Sequence, residues 1–360
     1  MGYKLFHSNQ KAMWHHYLNQ IEQKDIYFTP EYCEVHERNG EGKATLFIYE
    51  EAGKFVYYPF LLRKVNDLPF FKNRMGFGGD IYDLTTPYGY GGPITNAGVE
   101  DQTLLFYNFS KVFREFCLEN RIVTEFIRFH PVISNHALDP TLEPLYLRNT
   151  IAVDLTCEEE TIWSNYDSPN RNRIRKATSN GLSVVHKPLT DRSNFMRIYY
   201  STMKKNNASS YYYFSGSYFQ NKADLLGENA ELLEVMHEGR AIFSGIFMSY
   251  GDFVHYDLVG SDQNYLKLCP NNFVIDYAAK WAKENGKMYL HLGGGYTGDD
   301  QLYRFKKRFN KYGDLPFYIG KRIHDEALYE AITEGLPKND SYFPLYRHPD
   351  LVERKKETVG

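Results

Sequence analysis

The chain has 360 residues, a formal net charge of −3, 42% hydrophobic and 24% charged residues. That length suits two domains, and the composition is that of an ordinary soluble globular protein. A balance so near neutral supplies no global attraction to nucleic acid or an anionic membrane, so DNA is not an expected partner. No apolar stretch approaches the length of a bilayer span.

In chain order, a helical pattern covers about 12–21. A strand hairpin follows over about 45–50 and 54–63, alternating and rich in aromatics. Residues 66–93 are turn-rich and end in TPYGYGGP. A helix over 101–119 places Leu105, Phe109, Val112, Phe113, Phe116 and Cys117 on one face. A strand over 124–131 closes this first half. The second half opens with IAVDL (151–155) as a strand. A helix over 161–177 is interrupted at Ser168-Pro169, and Gly181 is its stop. A second helix covers 191–205, then a hairpin (231–237, 240–250) and a buried strand (253–261). Asn271 or Asn272 is the expected cap of a helix over 273–284, which Gly286 ends. KMYLHLGGG is the next strand and turn, 301–313 reads as helix, and LPFYIGKRI as the last strand. The polar tail is expected either to be disordered or to wrap back onto the first half.

The two halves repeat. ATLFIYEEAGKFVYYPFLL (44–62) matches AELLEVMHEGRAIFSGIFM (230–248) at an offset of 186, with Gly53 and Gly239 in register. The same offset carries Phe28 onto Phe214 and Tyr32 onto Tyr218. FCLENRIVTEFIRFHP (116–131) matches WAKENGKMYLHLGGG (281–295) at an offset of 165. A period of domain size means two related domains, not a solenoid. The expected division is 1–150, 151–335 and a tail of 336–360. The expected fold class is α/β, with mixed sheets and an order unlike the regular alternation of a dinucleotide fold.

Two basic runs, RNRIRK (171–176) and RFKKRFNK (304–311), lie in the second half, each interleaved with apolar residues. Either alone fits a solvated helix face, while the pair points to an anionic ligand. Gly293-Gly294-Gly295 follows a strand and precedes a helix. Backbone amides there either cradle an anion or form a tight turn. His291 alternates with Leu290 and Leu292, so it faces away from them as a packing or a substrate-contacting histidine. No G-x-x-x-x-G-K-[ST], H-E-x-x-H or G-x-S-x-G occurs, so no phosphate loop of that type, zinc site or hydrolase nucleophile is expected. Cys33, Cys117, Cys157 and Cys269 are scattered, with no C-x-x-C, and MGYKLFHSNQ carries no signal-peptide pattern. The expected location is the cytoplasm.

NRNRIRKATSNGLSV (170–184), HYDLVGSD followed by CPNNFVIDYAAKWAKENG, LHLGGG, LYRFKKRF and TPYGYGGP together resemble the Fem-type aminoacyltransferases. The resemblance spans about 28–322 and implies two tandem GNAT-like (acyl-CoA N-acyltransferase-like) domains. It implies transfer of an aminoacyl or acyl group onto an amine of a cell-surface, peptidoglycan or glycan, precursor. On the matching motif positions, Arg171, with Arg173 or Arg175, would contact precursor phosphates, and Lys306 would sit near the transferred acyl group. Tyr88, Tyr90, Tyr256, Asn271 and Gly294 fall in the same motifs as substrate contacts. Asp257 and His291 are the candidate bases. No tightly bound cofactor is implied; aminoacyl-tRNA or acyl-CoA is the co-substrate. The expected partners are an anionic small-molecule or lipid-linked precursor, with charged tRNA as a further candidate. The chain departs from the pattern by lacking the long helical hairpin of some members. It also lacks the acetyl-CoA loop pattern, for which it has Leu-Cys-Pro-Asn-Asn. Two other readings stay open: an acyl-CoA-dependent N-acyltransferase of an amino sugar or small amine, and a non-catalytic binder of tRNA or an anionic precursor.

Overall fold

The computed structural model describes residues 2–71, 77–337 and 342–352. Those parts of the turn-rich region and of the tail that fall at 72–76, 338–341 and 353–360 lie outside the described residues. The chain divides into two compact units, residues 1–146 with 318–360, and residues 147–317.

The first unit contains β1 (Tyr3–His7), α1 (Lys11–Leu18), α2 (Pro30–Arg38), β2 (Lys43–Glu51), β3 (Lys54–Lys64), β4 (Tyr82–Thr85), β5 (Ile94–Thr95), α3 (Val99–Glu119) and β6 (Ile122–Arg128). Its sheet runs β1-β2-β3-β4-β6, antiparallel except for the parallel pair β4–β6. Phe47, Tyr58 and Phe60 of the hairpin pack on Phe109 and Phe113 of α3, with Phe47 and Phe113 centroids 5.0 Å apart. This aromatic core absorbs much of the Phe and Tyr excess.

The second unit contains β7 (Leu145–Asp154), α4 (Glu159–Asn165), α5 (Ser168–Ser179), β8 (Ser183–Pro188), α6 (Ser193–Lys205), α7 (Gly216–Leu226), β9 (Ala230–His237), β10 (Arg240–Tyr250), β11 (Phe253–Ser261), α8 (Pro270–Glu284), β12 (Tyr289–Gly294) and α9 (Gln301–Lys307). Its sheet runs β7-β12-β11-β10-β9-β8, and the parallel pair is β11–β12. Val254, Tyr256, Leu290 and Leu292 face Val274, Ile275 and Ala278 of α8 in one core.

The repeat is visible in backbone detail. Ala52-Gly53 and Glu238-Gly239 all have positive φ (50°, 79°, 47° and 77°), the two-residue turn that matches strand twist. Thr29 and Ser215, 186 residues apart, each cap a helix by accepting the amide of the residue three later, Tyr32 and Tyr218, at 3.2 Å. Asn120 and Asn285 both follow the matching helices as C-caps, and Arg121 (φ 52°) and Gly286 (φ 69°) both turn left-handed into the next strand.

β13 (Asp314–Ile323) crosses the division, and Ile319–Ile323 pairs antiparallel with Thr124–Arg128. Residues 318–335, expected in the second domain, therefore group with the first unit, where α10 (Glu326–Thr333) buries Ile332 against Val65, Ile81 and Val123. The tail wraps back: Tyr346 is fully buried and bonded to Thr124 at 2.7 Å, and Arg347 pairs with Asp83. Two local expectations are corrected. α8 starts at Pro270 after a left-handed Cys269, so neither Asn271 nor Asn272 caps it. α9 stops at Lys307, because Asn310 turns inward to donate to the Ala152 carbonyl at 2.9 Å.

Candidate active site

The parallel strands β11 and β12 pair only over Phe253–His255 with Tyr289–His291, although β11 continues to Ser261 and β12 to Gly294. Beyond His255 and His291 the ladder opens. Both strands are bulged at this level. Between Gly245 and Phe247 of β10 the partners jump from Val259 to Tyr256, leaving Asp257 and Leu258 opposite one residue. Leu292 is the extra residue of β12 against β7. Bulges beside a strand end disrupt the ladder locally and re-aim side chains. In the first unit the corresponding pair stays closed: Leu84 and Thr85 pair with Glu125 and Phe126, and Gly91 bridges Phe129.

Lys306 lies at the open end. It is 8% exposed, and its Nζ donates to the Gly294 carbonyl at 2.7 Å. Burial, reinforced by the nearby Arg148 charge, lowers its ammonium from the ordinary 10.5 to about 8; Asp300 acts in the opposite sense. The loop after β12 is fixed from two sides. Arg148 donates to the carbonyls of Gly295 and Tyr296 at 2.8 and 2.7 Å. The Asp300 carboxylate accepts the amides of Tyr296, Thr297 and Tyr303, which holds its own ionisation below the usual range even against burial. These contacts hold the turn that follows Gly293-Gly294-Gly295.

Asp257 pairs with Lys222 of α7, a side chain only 1% exposed. His291, on the strand face opposite the core residues Leu290 and Leu292, is also buried, and its Nε2 lies 3.0 Å from Thr150 Oγ1. The His255 ring stands 5.5 Å away, edge-on. Lys306 and Gly294 thus meet at the end of β12, while His291 on β12 and Asp257 on β11 lie near the level where the two strands part. Tyr256, on the opposite side of its strand, is part of the core, and burial raises its phenol well above the ordinary range. Asn271 accepts from Ser261 Oγ at the start of α8.

The basic helix α5 is placed differently. Arg171 turns back onto the end of α4, where its guanidinium donates to the carbonyls of Trp163, Ser164 and Tyr166. Arg173 is exposed, and Arg175 covers Trp163 at 5.5 Å. Tyr88 and Tyr90 belong to the first unit. The Tyr88 carbonyl accepts from Tyr32 Oη at 2.8 Å, and the Tyr90 ring packs against Tyr27 and His130. Gly89 (φ 101°) lies where a Cβ would meet the Tyr27 ring at 2.4 Å, which explains one glycine of TPYGYGGP.

Sequence reasoning missed Lys222, Thr150, Arg148 and Asp300. Lys222, Thr150 and Arg148 come from elements distant in sequence from their partners, and Asp300 from the turn before α9. The available signal was Asp300 as the cap before LYRFKK, three residues ahead of Tyr303.

Residues 169–332 match the family model described as Acetyltransferase (GNAT) domain. Among solved structures the chain is similar to FemX at 14% identity, with 93% of this chain and 100% of that one covered and a TM-score of 0.67. The C-terminal domain (DUF2156) of a protein assigned as a lysylphosphatidylglycerol synthetase from Agrobacterium fabrum is similar at 14% identity, with 90% and 97% covered and a TM-score of 0.51. A conserved protein of unknown function from Bacteroides thetaiotaomicron follows at 10% identity, with 89% and 99% covered and a TM-score of 0.50. No curated protein matches the sequence. At these identities the structural likeness speaks for the fold, and it is the tandem fold that the family resemblance implied. Among the described residues, no helix is long and apolar enough to cross a membrane.

Proposed function

We propose that this acyltransferase, whose residues 169–332 carry the GNAT domain, moves an aminoacyl or acyl group onto an amine of a cell-surface, peptidoglycan or glycan, precursor. The observation that supports this most is Lys306, a desolvated ammonium beside the opened end of β11–β12, bonded to a strand-end carbonyl. The precursor class rests on the likeness to FemX and to the lysylphosphatidylglycerol synthetase domain.

The reaction joins an activated carboxyl, R–CO–X, to a neutral amine. The C–N bond forms, the C–X bond breaks, and X leaves with a proton. The donor is already activated, so the chain needs no nucleophile of its own. The amine must give up a proton, and Asp257 or His291 is the candidate acceptor. The carbonyl oxygen gains charge in the transition state. An ammonium in a dry setting stabilises that charge far better than one in water. Lys306 has two hydrogens left after the bond to Gly294, and one is enough for the oxyanion.

The donor we favour is an aminoacyl ester over acyl-CoA. The first turn of α8 starts with Pro270, which has no amide to offer a pyrophosphate. Precursor phosphates are assigned to the α5 arginines. Arg173 is the readiest, whereas Arg171 would first have to release the carbonyls at the end of α4. Tyr88, Tyr90, Tyr256 and Asn271 stay in the proposal as supports of substrate-bearing segments.

Incubation with charged tRNA and, separately, acyl-CoA, each with amine-bearing precursors, tests this. A mass increment on the precursor from charged tRNA supports the reading. Transfer from acyl-CoA alone moves the assignment to an N-acyltransferase of an amino sugar or small amine.

A further inference from the structure

A cavity of about 300 Å3 lies between α4 and α8 of the second unit. One wall is apolar, formed by the Trp163 indole, Ile162 and Ala279. Asp276, only 6% exposed, faces it beside Tyr166, and the exposed Glu159 and Glu160 complete the lining. Burial raises the Asp276 carboxyl above the usual carboxylate range, although Lys280 and Tyr166 both favour the ionised form.

The protein's own cations show what this surface attracts. Lys280 Nζ donates to Asp276 Oδ2 at 2.7 Å and lies 5.8 Å from the Trp163 ring centroid. The Arg175 guanidinium stands 5.5 Å from the same ring. The Lys280 side chain is 55% exposed, so it holds this place from a solvent-facing stem. Lys283 is occupied with the carbonyls of Leu155 and Cys157 at 3.0 and 2.9 Å. Besides Lys280 and Lys283, the lining combines an aromatic face, a buried carboxylate and two acidic neighbours, groups that recognise an organic cation where a lysine ammonium gives way. An apolar cavity of roughly 150 Å3 accepts a benzene molecule, so a short alkyl chain has room here.

We propose that this cavity is a second ligand site, which takes a small organic ammonium group in the place of the Lys280 ammonium, between the Asp276 carboxylate and the Trp163 indole face. It is separate from the opened strand end at Lys306, although it borders the α5 arginines: Arg175 covers Trp163 and Arg171 holds the carbonyls of Trp163 and Tyr166. The cavity adjoins the first end of β12, where Tyr289 pairs with Asp154 and Lys283 holds Leu155. Lys306 and Gly294 stand at the other end, where Gly294 pairs with Thr150. The inference stands whether or not the acyl-transfer reading does.

The test titrates the full chain with n-butylammonium chloride, with n-butanol as the uncharged control and lithium chloride for ionic strength, read by saturation-transfer NMR. Butylammonium is expected to bind and butanol to bind more weakly by about tenfold. Lys280→Met removes the internal competitor and tightens butylammonium several-fold. Trp163→Leu and Asp276→Asn each lose the binding. Acid weakens it as Asp276 protonates, above the pH at which an ordinary aspartate would. Should Asp276→Asn fail to fold, Lys280→Met and Trp163→Leu decide the matter. Equal binding of butanol and butylammonium, no binding to either the parent or Lys280→Met, or weaker binding in Lys280→Met overturns the proposal.

Discussion

The Lys306 ammonium and the Gly294 carbonyl oxygen meet at 2.7 Å, where β12 has already parted from β11. The contact fixes a charge that the fold would be more stable without. Burial lowers the folded-state value of Lys306 to about 8 against an ordinary 10.5. Below pH 8 both states hold the proton. Between about 8 and 10.5 the unfolded chain holds more, so stability rises with pH across that window. Lys306→Met removes this rise. At neutral pH it stabilises the protein by about 2 kcal/mol, after about 1 kcal/mol is deducted for the lost bond to Gly294. Urea unfolding of both proteins at pH 7 and pH 10 reads both effects.

Asp300 and Arg148 tune the same ammonium in opposite directions. If charged Lys306 is the active form, the rate falls as pH rises through about 8. Asp300→Ala moves that alkaline limb to lower pH, and Arg148→Met moves it to higher pH. Asp300→Ala also loses the α9 cap, for about 1 kcal/mol of stability. A pH–rate profile of the three proteins separates the electrostatic effect from the structural one.

Lys222 and Asp257 form a buried pair, 1% and 13% exposed. Breaking one side strands the other charge. Lys222→Met alone is expected to cost about 3–5 kcal/mol, while Lys222→Met with Asp257→Leu recovers most of it. A double-mutant cycle by denaturant unfolding gives the coupling. Additive losses would mean that the two side chains do not share one site.

The paired caps make a symmetric forecast. Thr29→Ala and Ser215→Ala each destabilise by about 0.5–2 kcal/mol, and Thr29→Ser is close to neutral. Thermal unfolding of the three variants checks it. A cap that matters in one unit alone would mean that only one half of the repeat depends on it.

Much of the fold was legible because local rules carried it. Gly53 and Gly239 announce hairpins, Phe28 and Phe214 mark the residues before two helix caps, and the 2.0 and 3.6 periods were strong in β9–β11 and α3. β1, β8, α7 and α10 escaped notice because they are short or are decided by what they pack on. Ile332 of α10, for instance, is buried against strands more than 200 residues earlier. The site was legible where a motif is contiguous, as in LHLGGG and LYRFKK. It was not where the partner is remote: nothing around Thr150 announces His291, and nothing around Lys222 announces Asp257. Arg171 shows a further limit, since a basic motif names a residue type but not the α4 carbonyls that its guanidinium reaches.

The most direct test of the account is the rate of acyl transfer to an amine by the parent and by Lys306→Met, measured at saturating donor and acceptor from pH 6 to pH 10. The account predicts a loss of about 10²–10³ in turnover for Lys306→Met with substrate affinity little changed. It also predicts a parent rate that declines above about pH 8 and a variant rate that does not. Equal turnover in the two proteins, or a parent rate that rises steadily through pH 10, would contradict it.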